Sequence, residues 1–277
     1  MDEQIYTALA GSYDSFMKDV PYEAWAGYIV KVLRRHQIRD GLVCDLGCGT
    51  GTLTDMLADR GYDMTGIDSS IEMLDRAMEK REGRNILYLN QDIREFELYG
   101  TMRAILAACD TLNYLPRRKD LAKVFRLVNN YLDPGGVFLF DLHTPYYYEK
   151  VLGNRTFAEE GEEHSYIWEN HYDKRKRRNA YDLTLFDRVD INQMAEGDCG
   201  VDINQENEMG SMVYIKQKER HVETAFPRKL VEKELEKAGL KLIRVTSDYS
   251  ARKPGRKSTR LVYEAVLPVD TEKQTAD

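Results

Sequence analysis

The chain has 277 residues, of which 42% are hydrophobic, so it can bury a full core as one large domain or as a domain with an insertion. Its formal net charge of −7 argues against a general attraction to nucleic acid or to an anionic membrane. It has no apolar run of about 18 residues, which a membrane-spanning helix requires, and no apolar stretch of a secretory signal. The four cysteines show no zinc spacing and no C-x-x-C pair. We therefore predict a cytoplasmic protein without a metal site, a disulfide or a membrane partner.

The first half of the chain alternates between helix and strand patterns. Residues 3–20 are expected to form a helical lead-in, and a second helix is expected from Pro21 to about His36. Ser69 and Glu72 form a predicted capping box. The further elements predicted in this half are a strand 43–46, a helix 52–60, a strand 63–68, a helix after Ser69, strands 86–89 and 104–108, a helix 121–132 and a strand 137–142. This alternation predicts a doubly wound parallel sheet with helices on both faces.

From about Tyr146 the alternation stops. Longer alternating strands are expected at 164–173, 180–193 and 211–224, with polar connections at 174–179 and 196–210. The earlier rhythm returns after Pro227 with a helix that ends at Gly239 and strands 240–247 and 260–267. The predicted fold class is therefore α/β, with a Rossmann-like, doubly wound, seven-stranded and mostly parallel sheet and a small inserted antiparallel β cap. The predicted divisions are 1–145 with 225–270, the insertion 146–224, and a disordered tail 271–277.

The carboxyl ends of the predicted strands carry the candidate site. Val43–Gly51 reads Val-Cys-Asp-Leu-Gly-Cys-Gly-Thr-Gly, a strand that ends on a carboxylate and becomes a glycine turn before a helix. Such a turn exposes backbone N–H groups and a positive helix end to a ligand. Asp68, Asp92 and His143 also follow strands, and ligands of open α/β sheets bind at this edge. A dinucleotide site is the alternative, but its usual spacing is G-x-G-x-x-G, whereas the spacing here is G-x-G-x-G.

These motifs resemble those of the class I S-adenosylmethionine (SAM)-dependent methyltransferases. The matching residues are Asp45–Gly51, Gly66-Ile-Asp-Ser-Ser70, Gln91-Asp-Ile93 and Leu132-Asp-Pro-Gly-Gly136. The segment from Tyr6 to Asp14 is similar to the N-terminal segment of small-molecule members, which often carry a β insertion after the fifth strand. The resemblance implies SAM as cofactor and S-adenosylhomocysteine (SAH) as product.

The resemblance also implies a set of cofactor contacts. The glycine turn would follow the amino-acid end and the ribose, Asp68 would accept from ribose hydroxyls, and Asp92 with the Ile93 amide would bind the adenine. The complete set of expected cofactor-binding residues is Tyr13, Asp45, Gly47, Cys48, Gly49, Gly51, Asp68, Ser69, Met73, Gln91, Asp92, Ile93 and Cys109.

Catalysis and acceptor binding are less defined by sequence. Tyr13 is a candidate to close over the methyl site, with helix packing as the alternative, and His143 is a candidate base, with a structural histidine as the alternative. The expected acceptor contacts are Tyr6, Asn113, His143, Trp168 and His221.

The sequence therefore predicts a SAM-dependent methyltransferase that acts on a nitrogen or oxygen of a small-molecule acceptor. Two basic runs, 174–178 and 252–257, favour solvated turns and leave an RNA or protein methyltransferase as an alternative. No aromatic residues are interleaved with these runs, and the segment after the fourth strand lacks the [Asn/Asp]-Pro-Pro-[Tyr/Phe] signature of nucleobase and glutamine methylases. A SAM-binding module without catalysis is a further alternative, and the β cap leaves open pairing with a second subunit as a homodimer.

Overall fold

Two sheets organise the protein in the computed structural model, which describes residues 6–7, 9–190 and 212–269. The strands are β1 Gly41–Leu46, β2 Tyr62–Asp68, β3 Leu87–Asn90, β4 Met102–Ala107, β5 Leu132–His143, β6 Thr156–Glu159, β7 His164–Asp173, β8 Arg178–Asp190, β9 Met212–Thr224, β10 Lys241–Ser247 and β11 Arg260–Val266. The α-helices are α1 Tyr13–Phe16, α2 Tyr22–Arg35, α3 Thr52–Ala58, α4 Ile71–Lys80, α5 Arg118–Tyr131 and α6 Arg228–Lys237. Short 3₁₀ turns lie at Leu9–Gly11 and Thr111–Tyr114, and a π-helical turn lies at Tyr147–Leu152.

The large sheet has seven strands in the order β10-β11-β5-β4-β1-β2-β3. β1 pairs in parallel with both β2 and β4, so the strand order reverses at β1 and the loops after β1 and β4 diverge there. β11 is antiparallel to both β5 and β10. The predicted fold class is confirmed, and a crevice opens at the carboxyl ends of β1 and β4, where ligands of such sheets bind.

The large sheet is covered on both faces, as its continuous apolar strands require. One buried cluster joins the sheet to α5 and α6 through side chains such as Phe125, Phe138 and Leu235. The other joins it to α2 and α3 through side chains such as Ile29, Leu33 and Leu57. This two-sided packing holds the strand ends, and hence the loops that follow them, in fixed positions. No described helix is both long enough and apolar enough to cross a membrane.

The second sheet is antiparallel, with strands in the order β6-β7-β8-β9. It contains the three expected long strands and one more, the short edge strand β6. Leu9 from the N-terminal segment packs against Leu183 and Leu185 of β8, with Tyr13 and Phe16 beside them. The N-terminal segment therefore lies between the second sheet and the large one.

Three local expectations need correction. The lead-in is broken into a 3₁₀ turn and the short α1, because Gly11 is a poor helix former and Ser12 closes the turn by donating its N–H to the Leu9 carbonyl oxygen at 3.1 Å. The cap of α4 is Ser70 rather than Ser69, since the Ser70 hydroxyl accepts from the Met73 N–H. Asp133–Gly136, expected as the stop between the helix 121–132 and the strand 137–142, lies inside β5. The expected tail 271–277 and the connection 196–210 lie outside the described residues.

A buried ion cluster joins β11, β5 and the loop after β4. The Arg260 guanidinium donates to the Asp141 carboxylate and, at 3.0 Å, to the Asp110 carboxylate. Asp141 is fully buried, and its other oxygen accepts from the Tyr249 hydroxyl at 2.6 Å. The guanidinium also lies over the Trp25 ring of α2. One side chain thus neutralises two carboxylates from two elements.

We expect Arg260→Met to lower the free energy of unfolding by about 3–5 kcal/mol, because it leaves Asp141 charged and buried without its cation. Urea denaturation followed by circular dichroism measures the loss. Arg244→Met on the exposed side of β10 is the matched control, with an expected change of about 0.5 kcal/mol or less. Equal losses for the two variants would contradict the role assigned to the Arg260 cluster.

Candidate active site

A cavity of about 880 Å³ opens at the carboxyl ends of β1, β2 and β4. Its walls come from the glycine turn, the start of α4, the loop after β4, the N-terminal segment and β9. The lining residues are Tyr6, Tyr13, Gly47, Gly49, Asp68, Ser69, Ser70, Glu72, Met73, Asp92, Ile93, Arg94, Cys109, Thr111, Tyr114, Leu115, Pro116, Arg178, Arg220 and Val222.

The glycine turn shapes one end of this cavity. Gly47 has φ +69°, and a Cβ there would lie 2.3 Å from a methyl carbon of Thr111, so only glycine allows the loop after β4 to approach. Gly49 has φ +56°, and a Cβ there would enter the space in front of the Met73 methyl, 3.3 Å away. The turn therefore presents a bare backbone surface to the cavity, as a closely bound ligand requires.

Asp68 ties the glycine turn to α4. One carboxylate oxygen accepts from the Gly49 N–H at 2.9 Å and the other from the Ser70 N–H at 2.9 Å. Burial raises the pKa of Asp68, and these backbone N–H groups act in the opposite direction. A carboxylate has about four acceptor positions, so lone pairs remain for the hydroxyls of a ligand in the cavity.

Asp92 lies on the same wall and is held by its neighbour. Its carboxylate accepts from the Arg94 N–H at 2.7 Å and from the Arg94 Nε–H at 2.8 Å. Burial acts to raise the pKa of Asp92, but the hydrogen bonds and charge of Arg94 outweigh it and leave the pKa lowered. Ile93, Met73 and Ser69 complete this end of the cavity.

Four expected cofactor residues lie behind or beside the wall. Asp45 is buried under the turn, where it accepts from the Thr54 hydroxyl at 2.7 Å, and burial raises its pKa to about 7. Cys48 has its sulfur over Gly66, and Gly51 packs against the Tyr88 hydroxyl. The Gln91 side-chain oxygen accepts from the Glu97 N–H at 2.8 Å. These residues support the shape of the turn and its neighbouring loop.

Tyrosines line the other end of the cavity. The rings of Tyr6 and Tyr13 meet edge to face with centroids 5.9 Å apart, and Tyr6 contacts the Tyr114 ring at 5.7 Å. Burial raises the pKa of Tyr13 well above its usual value, so its hydroxyl stays protonated. Cys109 borders the same region. An aromatic pocket with polar tips therefore faces the glycine turn.

His143 is placed away from this pocket. It lines a second cavity of about 490 Å³, together with residues such as Thr144, Phe226 and Arg256. Its Nε2 lies 2.9 Å from an Arg260 nitrogen, which can only donate, and its Nδ1 lies 3.4 Å from the Thr259 carbonyl oxygen. The same Nε2 lies 3.3 Å from an Asp110 carboxylate oxygen, so the ring belongs to the Arg260 cluster. His143 is not among the residues that line the larger cavity, and its expected roles as base and acceptor contact stay predictions.

Asn113 and Trp168 also serve packing in this structure. The Asn113 amide donates to the Thr224 carbonyl oxygen at 2.8 Å and accepts from the His143 N–H at 2.9 Å, which joins the ends of β9 and β5. Trp168 packs between Phe157 and Tyr181 inside the second sheet. Neither residue lines the larger cavity, and the expectation that they contact the acceptor stays a prediction.

His221 lies directly behind the tyrosine pocket. Its side chain is fully buried, its ring stacks on Tyr181 at 4.7 Å, and its Nδ1 lies 3.3 Å from the Tyr114 hydroxyl. Its Nε2 lies 3.0 Å from a Glu219 carboxylate oxygen. His221 is in contact with two residues that line the cavity: it lies within reach of the Tyr114 hydroxyl, and its ring meets the Tyr6 ring edge to face at 5.0 Å.

The cavity also has lining residues that were not expected from sequence. Tyr114, Arg178 and Arg220 are the main ones. Tyr114 lies in the loop after β4, at the edge of the sheet where ligands bind, so its place in the sequence could have indicated a site residue. Arg178 and Arg220 lie on β8 and β9, where sequence alone does not reveal which side chains face the large sheet.

Fold and site together define a Rossmann-like protein with a cavity at the switch point between β1 and β4. The sequence profile of a family described as "Methyltransferase domain" matches residues 43–136. The "Putative methyltransferase YqeM" of Bacillus subtilis is 33% identical over 94% of this chain and 96% of its own length. The crystal structure of a SAM-dependent methyltransferase from Clostridium acetobutylicum covers 96% of this chain and 100% of its own, at 28% identity and a TM-score of 0.79.

A more distant relative has a stated acceptor. The Streptomyces venezuelae dTDP-3-amino-3,4,6-trideoxy-alpha-D-glucopyranose N,N-dimethyltransferase is 27% identical over 48% of this chain and 56% of its own length. The chain thus belongs to the class I SAM-dependent methyltransferases. SAM is its cofactor, and the bare turn at Gly49 with the remaining acceptor positions of Asp68 fits its polar groups.

We expect Asp68→Asn to weaken SAH binding about 10- to 100-fold, since an amide offers one oxygen where Gly49 and Ser70 present two N–H groups. Isothermal titration calorimetry with SAH measures the change. Asp63→Asn, exposed on the same strand, is the control and should bind SAH like the wild type. An unchanged affinity for Asp68→Asn would remove Asp68 from the binding site.

Proposed function

We propose that this methyltransferase acts on a primary or secondary amine of a small-molecule acceptor. The observation that carries the proposal is that one continuous cavity runs from the glycine turn to the pocket of Tyr6, Tyr13 and Tyr114. Its volume of about 880 Å³ lies within the usual range of roughly 300–1,000 Å³ for small-molecule sites. The edge strand β9 and the N-terminal segment cover it, which favours an enclosed acceptor.

The tyrosine pocket supports an amine rather than a neutral hydroxyl. Aromatic faces attract a cation placed over them, and an alkyl amine arrives mainly as an ammonium at neutral pH. The Streptomyces venezuelae relative is named for N,N-dimethylation of an amino sugar, which is consistent with an amine acceptor here. Arg178 and Arg220 at the rim would bind an anionic group elsewhere on the acceptor.

The residues of the chain then have separable tasks. When bound, SAM supplies a sulfonium-activated methyl group for in-line displacement. Asp68, Asp92 and the glycine turn would hold the cofactor, and Tyr6, Tyr13 and Tyr114 would exclude water and orient the acceptor nitrogen. Alignment of this kind is worth up to about 7–11 kcal/mol in well-oriented systems.

The alternative is an RNA or protein acceptor, which would contact the two basic runs 174–178 and 252–257. Lys174–Arg177 is exposed at the turn between β7 and β8, and Arg178 faces the cavity. Residues 252–257 form an exposed connection between β10 and β11. A macromolecular acceptor would have to place a side chain or base past β9 and against the tyrosines of the cavity.

Incubation with methyl-labelled SAM and three acceptor pools tests the proposal. The pools are a metabolite extract, total RNA and a denatured protein extract, each read by mass spectrometry for the labelled methyl group. We expect labelled small amines, and Asp68→Asn should abolish the labelling at limiting SAM. Label only in RNA or protein would replace the proposed acceptor class, and no label in any pool would favour a SAM-binding module without catalysis.

Three further predictions from sequence accompany this proposal. A division into a SAM-binding part (1–145 with 225–270) and an inserted part (146–224) agrees with the two sheets. A cytoplasmic location agrees with the free thiols of the described cysteines Cys44, Cys48 and Cys109. Pairing as a homodimer stays a prediction for a measurement of mass in solution.

A further inference from the structure

A chain of hydrogen bonds leads from the cavity wall to a buried histidine. The Tyr6 hydroxyl donates to the Tyr114 hydroxyl at 2.6 Å, and the Tyr114 hydroxyl lies 3.3 Å from His221 Nδ1. His221 Nε2 lies 3.0 Å from Glu219. We propose that Tyr6, Tyr114, His221 and Glu219 form a proton relay that removes a proton from the acceptor nitrogen, with His221 as the terminal base.

The partners assign a direction to this chain. A carboxylate only accepts, so His221 Nε2 carries the proton that faces Glu219, and His221 Nδ1 keeps a lone pair for the Tyr114 hydroxyl. Tyr6 in turn donates to Tyr114, which leaves the Tyr6 oxygen as the acceptor at the cavity end. The Tyr114 hydroxyl also lies 2.9 Å from the Tyr181 hydroxyl, and either of the two can donate. The relay requires that Tyr181 donates to Tyr114, because the one proton of Tyr114 is then left for His221 Nδ1.

The charge of Glu219 favours a base at the end of this series of hydrogen bonds. Burial acts to raise the pKa of Glu219, but the hydrogen bond from His221 and those from the Leu9 and Tyr6 N–H groups outweigh it and leave the pKa lowered. Glu219 is thus an anion that stabilises a protonated His221. This is the arrangement by which a buried carboxylate orients a catalytic histidine.

The three tyrosines around His221 and the neighbouring Glu223 stay neutral, and the charged Asp110 is held by Arg260. Burial is the first cause that raises the pKa values of Tyr6, Tyr114 and Tyr181 well above the usual tyrosine value. Glu223, on the same face of β9, is buried, and burial raises its pKa to about 8. The charge that responds to protonation of His221 is therefore that of Glu219.

The proton balance follows from this direction. The acceptor ammonium gives a proton to the Tyr6 oxygen, Tyr6 passes its own proton to Tyr114, and Tyr114 passes its own to His221 Nδ1. Both tyrosines end as neutral hydroxyls, the amine gains a free lone pair, and the imidazolium faces Glu219. Methylation of an ammonium releases one proton overall, which is the proton that His221 holds.

The relay deepens the proposed function and rests on it, because it assigns a role only for an acceptor that must lose a proton. It selects amines that are protonated at neutral pH. Three variants remove one link each while keeping side-chain volume: Tyr6→Phe, Tyr114→Phe and His221→Gln. His171→Gln, an exposed histidine on β7 of the same sheet, is the matched control.

The tautomer of His221 is measured first and needs no acceptor. The chain has five histidines, so ¹⁵N-histidine NMR of the SAH complex resolves the ring nitrogens, and the His221→Gln spectrum assigns the missing pair. We expect a neutral ring protonated at Nε2 and a shift of the Nδ1 signal in Tyr114→Phe. A ring protonated at Nδ1 would overturn the relay, whatever the acceptor is.

Kinetics with the small amine labelled in the metabolite pool give the second readout. We expect kcat of the three variants to fall by about 100-fold or more at pH 7, with SAH affinity within about twofold of wild type. The deficit should shrink as pH rises and the amine deprotonates in solution, and His171→Gln should match the wild type.

The outcomes separate the two proposals. A wild type that labels no amine rejects the proposed function and with it the role of the relay, while the tautomer measurement still decides the direction of the hydrogen-bond chain. A wild type that labels amines, with variants whose deficit is the same at every pH or whose kcat is unchanged, rejects the relay and leaves the proposed function standing.

Discussion

The buried guanidinium of Arg260 is the interaction on which the site depends. It neutralises Asp141 in β5 and Asp110 in the loop after β4, two carboxylates that would otherwise oppose each other in a region of low dielectric. Asp110 and its neighbour Cys109 both adopt positive φ, 53° and 58°, which side chains other than glycine rarely accept. The Asp110 N–H donates to Asp141 at 3.0 Å, so the cluster holds that backbone in its strained conformation. The loop can then bring Thr111 against Gly47 and form the floor of the cavity.

A second carboxylate, Glu219, holds the part of the cavity formed by the N-terminal segment and β9, as Asp141 holds the loop that forms the floor. Glu219 of β9 accepts from the Tyr6 N–H at 3.0 Å and from the Leu9 N–H at 2.9 Å, and so attaches the N-terminal segment to the second sheet. The large sheet supplies the cofactor end of the cavity, whereas the N-terminal segment and β9 cover the tyrosine end. Variation in the second sheet and the N-terminal segment can therefore change the acceptor without disturbing Asp68 and the glycine turn.

The parts that sequence predicts well are those set by neighbours in the chain. Asp68 and Gly49 are recognisable because a strand, a turn and a helix start follow each other within a few residues, and the order of elements was enough to predict the mostly parallel sheet. The contact of His143 with Arg260 was not predictable, because Arg260 lies 117 positions further along the chain and faces it only after β11 pairs with β5. The same holds for His221: which face of β9 points at Tyr114 depends on the register between β8 and β9, which alternation alone does not determine. The lead-in was expected as one helix because its apolar spacing is helical, but Glu219 binds its backbone in another conformation.

The conformation of Tyr6 links these constraints to the chemistry. A bulky residue at φ +67° is an outlier that costs of order 1–3 kcal/mol and persists only where its surroundings hold it. The holding bond is the one from its N–H to Glu219, the same carboxylate that faces His221. In the proposed relay, one anion thus both fixes Tyr6 and stabilises the imidazolium that His221 would become. Protonation of Glu219 would remove both effects at once. The conformation of Tyr6 and the basicity of His221 should therefore be lost over the same pH range.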